Sequence, residues 1–221
     1  MPKRKVVLAT NEIYHIYNRS IARELIFTSL GNLTRALEAI EFYRFAQEMR
    51  LSQFKSLRKE IKESYLFDLK KKKPLIEIYA FALMPNHYHF LLKQTQEKGI
   101  VQFTSNFQNS FAKYFNIKND RNGALFQNAF KGVHVQNDEQ FIHVSRYIHL
   151  NPVTSYIIEF ENLSSYPWTS FSQYANSGGS EIVETKFLLK MFSLKNSYIK
   201  FVADQVDYQR NLAKIKDIIL E

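Results

Sequence analysis

The chain of 221 residues is 45% hydrophobic, with 19 phenylalanines and 13 tyrosines, which excludes intrinsic disorder as a description of the whole. It contains no cysteine, so disulfides and thiolate metal sites are excluded. A formal charge of +9 and a pI near 9.5 favour a polyanionic partner, and the many aromatic residues favour one with unpaired bases.

The first predicted elements are a strand and a helix that follow a short basic arm at Pro2–Lys5, a candidate phosphate contact. Ile13–Tyr17 has the β-branched and aromatic content of a strand, and Asn18–Ser20 ends it with turn residues. After a loop at Phe27–Asn32, apolar residues recur at helical spacing over Leu33–Met49. This spacing predicts one long amphipathic helix that covers the sheet.

Residues 51–73 are rich in lysine, glutamate and serine and end in the lysine run Lys70–Lys73, before Pro74. The composition predicts that the helix continues or restarts here and stops at the lysine run. Such a run is either a solvated face or, in a chain this basic, a nucleic-acid contact.

The middle of the chain predicts a β-hairpin. Leu75–Met84 is mostly apolar, as expected for a buried strand, and Pro85–Asn86 turns it into a second strand that carries His87 and His89. Side chains alternate along a strand, so both imidazoles point to one side of the sheet, a spacing that suits two ligands of one divalent metal. The alternative is that both histidines are ordinary surface residues.

The second half predicts two further helices with a strand between them. Ile100–Phe115 carries phenylalanines at spacings of three and four, and Val133–Val135 is a short strand. Asn137 is an N-cap for a helix that we expect to run to about Asn151, because Pro152 disfavours helical backbone in the residue before it.

This order of elements predicts an α+β, ferredoxin-like (RRM-like) fold, with an antiparallel sheet that has helices on one face and is open on the other. We predict a catalytic domain at residues 1–175, a linker at Ser177–Ser180, and a small helical appendage at 181–221. No apolar run has the length of a membrane span and no signal-peptide pattern is present, so we expect a cytoplasmic protein with no membrane partner.

Five motifs together resemble the REP-associated tyrosine transposases, a branch of the IS200-like, single-tyrosine HUH transposases. The motifs occur in the family's order over about residues 10–175: Tyr14-His-Ile-Tyr-Asn-Arg19, Met84-Pro-Asn-His-Tyr-His89, Asn122-Gly-Ala-Leu-Phe-Gln127, Tyr147-Ile-His-Leu-Asn-Pro-Val153 and Tyr166-Pro-Trp-Thr-Ser170. A histidine pair alone is a weak signal, whereas the ordered set is specific.

The resemblance implies a role for each matching position. His87 and His89 would bind a divalent metal, Mg²⁺ or Mn²⁺, with Asn151 as the third ligand, and Tyr147 would be the nucleophile. Attack on a phosphodiester would leave a 5′-phosphotyrosine bond and a free 3′-OH. The expected partner is single-stranded or hairpin DNA, bound by a monomer or a homodimer.

One departure from the family pattern is Tyr88, where the family has an aliphatic residue; strand alternation turns it away from the histidines, as a core aromatic residue. His143 and His149 flank Tyr147 and are interpreted as surface or phosphate-contacting residues. Two other functions remain open: an RRM-like module that binds nucleic acid without chemistry, and a metal-dependent nuclease that uses water.

Overall fold

A computed structural model describes residues 6–176, 182–192 and 195–210. The basic arm at Pro2–Lys5 and the linker at Ser177–Ser180 lie outside the described residues. Within the described ranges, every helix is too short or too polar to cross a membrane.

A four-stranded antiparallel sheet organises the fold. Its strands are β1 (Ile13–Arg19), β2 (Ile76–Met84), β3 (His87–Gln94) and β4 (Lys131–Val135), in the spatial order β2-β3-β1-β4. Main-chain bonds from Gln94 to Glu12 (3.0 Å) and from Ser20 to Asn86 (2.8 Å) fix β1 antiparallel to β3. This arrangement confirms the predicted ferredoxin-like α+β fold.

The chain divides into two compact units. Unit 1 comprises Met1–Glu77, Pro85–His87 and Leu92–His134, and unit 2 comprises Ile78–Met84, Tyr88–Leu91 and Val135–Glu221. Residues on both sides of the linker fall in unit 2, because the helix at Lys195–Ala203 packs against the helices at Asp138–Thr154 and Phe171–Ala175. The separation of a catalytic domain at 1–175 from an appendage at 181–221 stays a prediction.

The α-helices in the described part of unit 1 are α1 (Leu30–Tyr43), α2 (Leu51–Ser56), α3 (Lys59–Lys71) and α4 (Gly99–Lys118). The apolar stripe of α4 is buried as predicted, and its Phe111 ring lies 4.7 Å from Phe27 and 6.3 Å from Phe126. The restart of a helix after residue 51 and its end near the lysine run are both confirmed.

The prediction of one long helix from Leu33 to Met49 was wrong, since α1 begins at Leu30 and ends at Tyr43. The Gln47 side-chain amide donates to the carbonyl of Phe42, and the Tyr43 hydroxyl accepts from the amide of Leu51 at 3.1 Å. These contacts provide partners for backbone groups at the helix break, which no glycine or proline marks in the sequence.

Unit 2 contains α5 (Asp138–Thr154), α6 (Phe171–Ala175), α7 (Thr185–Leu189) and α8 (Lys195–Ala203). The predicted N-cap is present: Asn137 Oδ1 accepts from the amide of Gln140 at 2.9 Å. The predicted end at Asn151 was wrong, because Pro152 lies inside α5. The amide of Ser155 still donates to the carbonyl of Asn151 (3.0 Å), so proline removes one donor without stopping the last turn.

The outer edge of β2 is paired with chain from later in the sequence. Leu83 donates to the carbonyl of Trp168 (2.9 Å), Ser170 donates to Phe81 (3.0 Å), and Glu184 donates to Ile78 (2.8 Å). Two residues of the Tyr166–Ser170 motif, Trp168 and Ser170, therefore pair with main-chain groups of this edge strand.

Candidate active site

Both predicted histidines lie on β3, two residues apart, so strand alternation gives them the same side of the strand. His87, in unit 1, is partly buried, and its Nδ1 lies 2.7 Å from Asn86 Oδ1. The amide nitrogen of Asn86 donates to the carbonyl of Arg23 at 3.4 Å, which turns its oxygen toward the ring. His87 Nδ1–H is therefore the donor, and Nε2 carries the lone pair of the ring.

Burial, together with the smaller effect of the nearby positive charge of Arg19, lowers the pKa of His87 from 6.5 to about 4. The imidazole is consequently neutral at pH 7, which is the protonation state of a metal ligand.

Unit 2 brings His89 and Tyr147 together. His89 is 6% exposed, and its ring meets the Tyr147 ring edge-to-face, with centroids 5.6 Å apart and an interplanar angle of 88°. Tyr147 itself is 41% exposed, although its neighbours Arg146 and Ile148 are buried. The chain thus presents an aromatic hydroxyl-bearing side chain to solvent beside a strand histidine.

Asn151 is buried one turn beyond Tyr147, and its Nδ2 donates to the carbonyl of Tyr147 at 2.9 Å. This hydrogen bond involves the amide nitrogen of Asn151. The amide oxygen is the atom through which an asparagine binds a metal. The same bond ties the position of the amide to the helix turn that carries Tyr147.

The predicted ligands, His87, His89 and Asn151, have donor atoms of the kinds that bind divalent metals. Two imidazoles and one amide oxygen suit a cation between the hard and borderline classes, such as Mn²⁺. Within the described ranges, no group of three His, Cys, Asp or Glu side chains forms an alternative metal site.

His149 was predicted to be a surface or phosphate-contacting residue, and this was wrong, because its side chain is fully buried. The Tyr198 hydroxyl donates to Ser145 Oγ at 3.2 Å, so His149 Nδ1 donates to the Tyr198 oxygen at 2.6 Å. Its Nε2 accepts from Ser170 Oγ at 2.7 Å. Burial lowers the pKa of His149 to about 3, so this ring is a neutral structural group.

His143 is exposed, as predicted, and its Nδ1 accepts from the Arg146 guanidinium at 2.7 Å. Tyr88 is fully buried, with its ring centroid 4.8 Å from that of Phe90. The tyrosine that interrupts the histidine pair is therefore a core residue.

Two motif pairs are joined by hydrogen bonds. In unit 1, Asn18 Nδ2 donates to the carbonyl of Gln127 at 3.1 Å, and the amide of Gln127 donates to Arg19 at 2.9 Å. In unit 2, the His149–Ser170 bond joins the Tyr147 and Tyr166 motifs. Several of the motif residues therefore have structural roles.

Two residues next to His87, Asn86 and Arg19, were not predicted to belong to the site. Asn86 was predicted only as a turn residue, although its position directly before a histidine is a signal for a partner to the ring. The proximity of Arg19 to His87 depends on the pairing of β1 with β3, which neither strand reveals alone.

A family model and a solved structure match this chain. A family model described as "Transposase IS200 like" matches residues 45–151, a segment that contains all four predicted site residues. A solved structure of a REP-associated tyrosine transposase bound to a REP hairpin has a similar fold, with a TM-score of 0.56 and 15% identity. The alignment covers 85% of this chain and 93% of that chain. No curated protein matches the sequence.

Proposed function

We propose, from the match of residues 45–151 to the IS200-like transposase family model, that this chain cleaves and rejoins single-stranded DNA through a covalent bond to Tyr147. The family match and the similar fold confirm the resemblance that the motifs indicated. The covalent mechanism, the metal and the assignment of site residues are the proposal.

The observation that carries the proposal is the exposure of Tyr147. A tyrosine on an amphipathic helix is ordinarily a packing residue, yet this one is 41% exposed and lies edge-on to His89. A nucleophile needs access to its substrate, and a packing residue does not.

The chemistry requires the phenol oxygen of Tyr147 to attack the phosphorus of the scissile phosphodiester. The bond from phosphorus to the tyrosine oxygen forms as the bond to the 3′-oxygen breaks, which leaves a 5′-phosphotyrosine and a free 3′-OH. The phenol proton is lost to solvent and the departing oxygen gains one. Because the phosphate linked to Tyr147 is still a phosphodiester, attack on it by a 3′-OH rejoins the DNA and releases Tyr147.

We propose His87, His89 and Asn151 as ligands of a divalent metal, Mg²⁺ or Mn²⁺. Such a cation, when bound, polarises a phosphate oxygen and stabilises the charge that develops on it. Asn86 keeps the His87 ring in the tautomer that a metal ligand needs, through the 2.7 Å contact at Nδ1.

The proposed substrate is single-stranded DNA next to a hairpin. The charge of +9 favours a nucleic acid, and the similar structure is that of a transposase bound to a REP hairpin. The oligomeric state and the cytoplasmic location stay predictions.

The test is incubation of the protein with 5′- and 3′-labelled hairpin DNA and Mn²⁺, followed by a denaturing gel. We expect a covalent protein–DNA band that is absent in Tyr147→Phe. Tyr156→Phe is the matched control, because Tyr156 is also exposed, at 55%, and lies nine residues further along the chain.

Two outcomes would contradict the proposal. DNA cleavage without any covalent band, at equal rates in the wild type and Tyr147→Phe, would indicate a nuclease that uses water. Hairpin binding without cleavage in either protein would indicate an RRM-like binding module.

A further inference from the structure

A groove of about 810 Å³ in unit 1 lies between α1, α2 and the second half of α4. Cationic side chains from all three helices, and from the residue before α2, line it: Arg35, Arg50, Lys55, Lys113 and Lys118. None of the proposed site residues lines this groove, which makes it a separate candidate for binding.

Acidic residues offset little of this charge. Glu38 is the one carboxylate that pairs with these cations in the described part of the chain, at 2.6 Å from Lys55 Nζ and 3.7 Å from Arg35 Nη1. Arg50 and Lys113 are exposed and form no ion pair with any described residue. The groove therefore has a strong excess of positive charge.

A second groove in unit 1, of about 650 Å³, has the opposite character. Glu48, Glu60 and Asp68 line it, with Lys72 as its cation. The basic groove is thus not a general consequence of a basic chain, since a neighbouring groove on the same unit is predominantly acidic.

The polar groups between the cations suit a nucleic-acid backbone. Asn106 and Asn109 supply amides, and the Tyr114 ring centroid lies 5.6 Å from both Arg35 Cζ and Lys118 Nζ. Arginine, lysine, amide and hydroxyl side chains are those that bind phosphate and sugar oxygens.

The Arg35 guanidinium makes only long polar contacts with the described residues. Its Nη2 donates to Ser110 Oγ at 3.4 Å, the carboxylate of Glu38 is at 3.7 Å, and its buried Nε has no hydrogen-bond partner among the described residues. A phosphate oxygen in the groove would offer a shorter, charge-assisted hydrogen bond.

We propose that this groove binds the sugar–phosphate backbone of the hairpin DNA that carries the cleavage site. The identity of the DNA rests on the proposed function, and the mode of binding rests on the charge of the groove. The lysine run is a poorer binding site, because Lys71 pairs with Asp68 at 2.9 Å and Lys72 pairs with Glu48 at 3.0 Å.

The test compares two double variants that each remove two positive charges from unit 1: Arg50→Gln/Lys113→Gln in the groove and Lys71→Gln/Lys72→Gln in the lysine run. Both are made on the full chain with Tyr147→Phe and titrated into a fluorescent DNA hairpin in EDTA, at several salt concentrations, with anisotropy as the readout. Thermal melting by circular dichroism checks the fold of each variant.

We expect the groove variant to bind about tenfold more weakly at about 0.1 M salt and to lower the slope of log K against log salt by about 1 to 2. The lysine-run variant should bind within about twofold of its parent, because its charges are already paired. Wild-type affinity in the groove variant, or equal losses in both variants, would overturn the proposal. The readout needs neither Tyr147 nor metal, so absence of the covalent band, which would defeat the proposed function, does not affect it.

Discussion

Two histidine–tyrosine pairs of unit 2, His89 with Tyr147 and His149 with Tyr198, differ in burial and in the contact that joins them. In one, His89 lies edge-on to Tyr147, whose side chain is 41% exposed. In the other, His149 and Tyr198 are fully buried and joined by a 2.6 Å hydrogen bond. His149 is only two residues from Tyr147, so the two pairs share the helix α5.

The difference shows that the surroundings of a side chain decide its role. In the buried pair, each polar atom of the histidine ring has a protein partner, and burial keeps the ring neutral. Its contribution is to the stability of α5 and α8. In the exposed pair, a phenol reaches solvent from the same helix, which is what a reaction with DNA requires. If this division between a structural pair and an exposed pair is right, substitutions in the two pairs should differ in their effect on stability.

The largest loss is expected for His149→Ala. The substitution leaves a cavity and removes the partners of Tyr198 and Ser170, and we expect it to lower the free energy of unfolding by about 3 kcal/mol. Urea denaturation followed by circular dichroism measures the effect. His143→Ala, on the exposed side of α5, is the control and should change stability by less than about 1 kcal/mol. Similar losses in both variants would contradict the division.

Acidification should destabilise the metal-free protein through the same histidine. The pKa of His149 is about 3 in the folded state and lies at the ordinary value of 6.5 when the chain is unfolded, so the unfolded state binds more protons between these values. Its contribution to stability is complete above pH 6.5 and is lost as the pH falls, by up to about 1.4 kcal/mol per pH unit. His149→Gln should show a flatter pH dependence in urea denaturation; parallel curves would be evidence against this effect.

A smaller loss is expected for Tyr198→Phe, which removes one hydroxyl and keeps the ring. His149 Nδ1–H and Ser145 Oγ each lose a partner, and we expect the free energy of unfolding to fall by about 1 to 2 kcal/mol. Thermal melting measures the shift, and an unchanged melting temperature would show that the buried hydroxyl contributes nothing.

The smallest effect on stability is expected for Tyr147→Phe, the substitution that should abolish the covalent band. Removal of a hydroxyl from a side chain that reaches solvent should change the free energy of unfolding by less than about 0.5 kcal/mol. A loss as large as that of Tyr198→Phe, in the same melting experiment, would mean that Tyr147 is a packing residue.

The sequence predicted the sheet and its connections well, because local patterns specify them. Pro85 and Asn86 form a turn between two apolar runs, and the phenylalanines of α4 recur at helical spacing, so both elements follow from short segments. The four site residues also came from the sequence, through the resemblance of the motifs, and their roles are those proposed above.

Features that depend on residues distant in the sequence were not predictable. His149 has the same local surroundings as any helical histidine, and its burial comes from Tyr198, 49 residues further along the chain. The end of α1 depends on two side chains. Gln47 donates to the carbonyl of Phe42, and the Tyr43 hydroxyl accepts from the amide of Leu51. Pro152 is tolerated because it lies in the last turn of α5. No local signal in the sequence shows that the helix continues past it.

The pairing along the outer edge of β2 has a consequence for self-association. Residues Trp168, Ser170 and Glu184 already occupy main-chain groups of this strand, so a second copy cannot extend the sheet there by strand addition. The other edge is β4, which has only five residues. Aggregation by edge-to-edge pairing is therefore blocked on one side of the sheet and restricted to a short segment on the other.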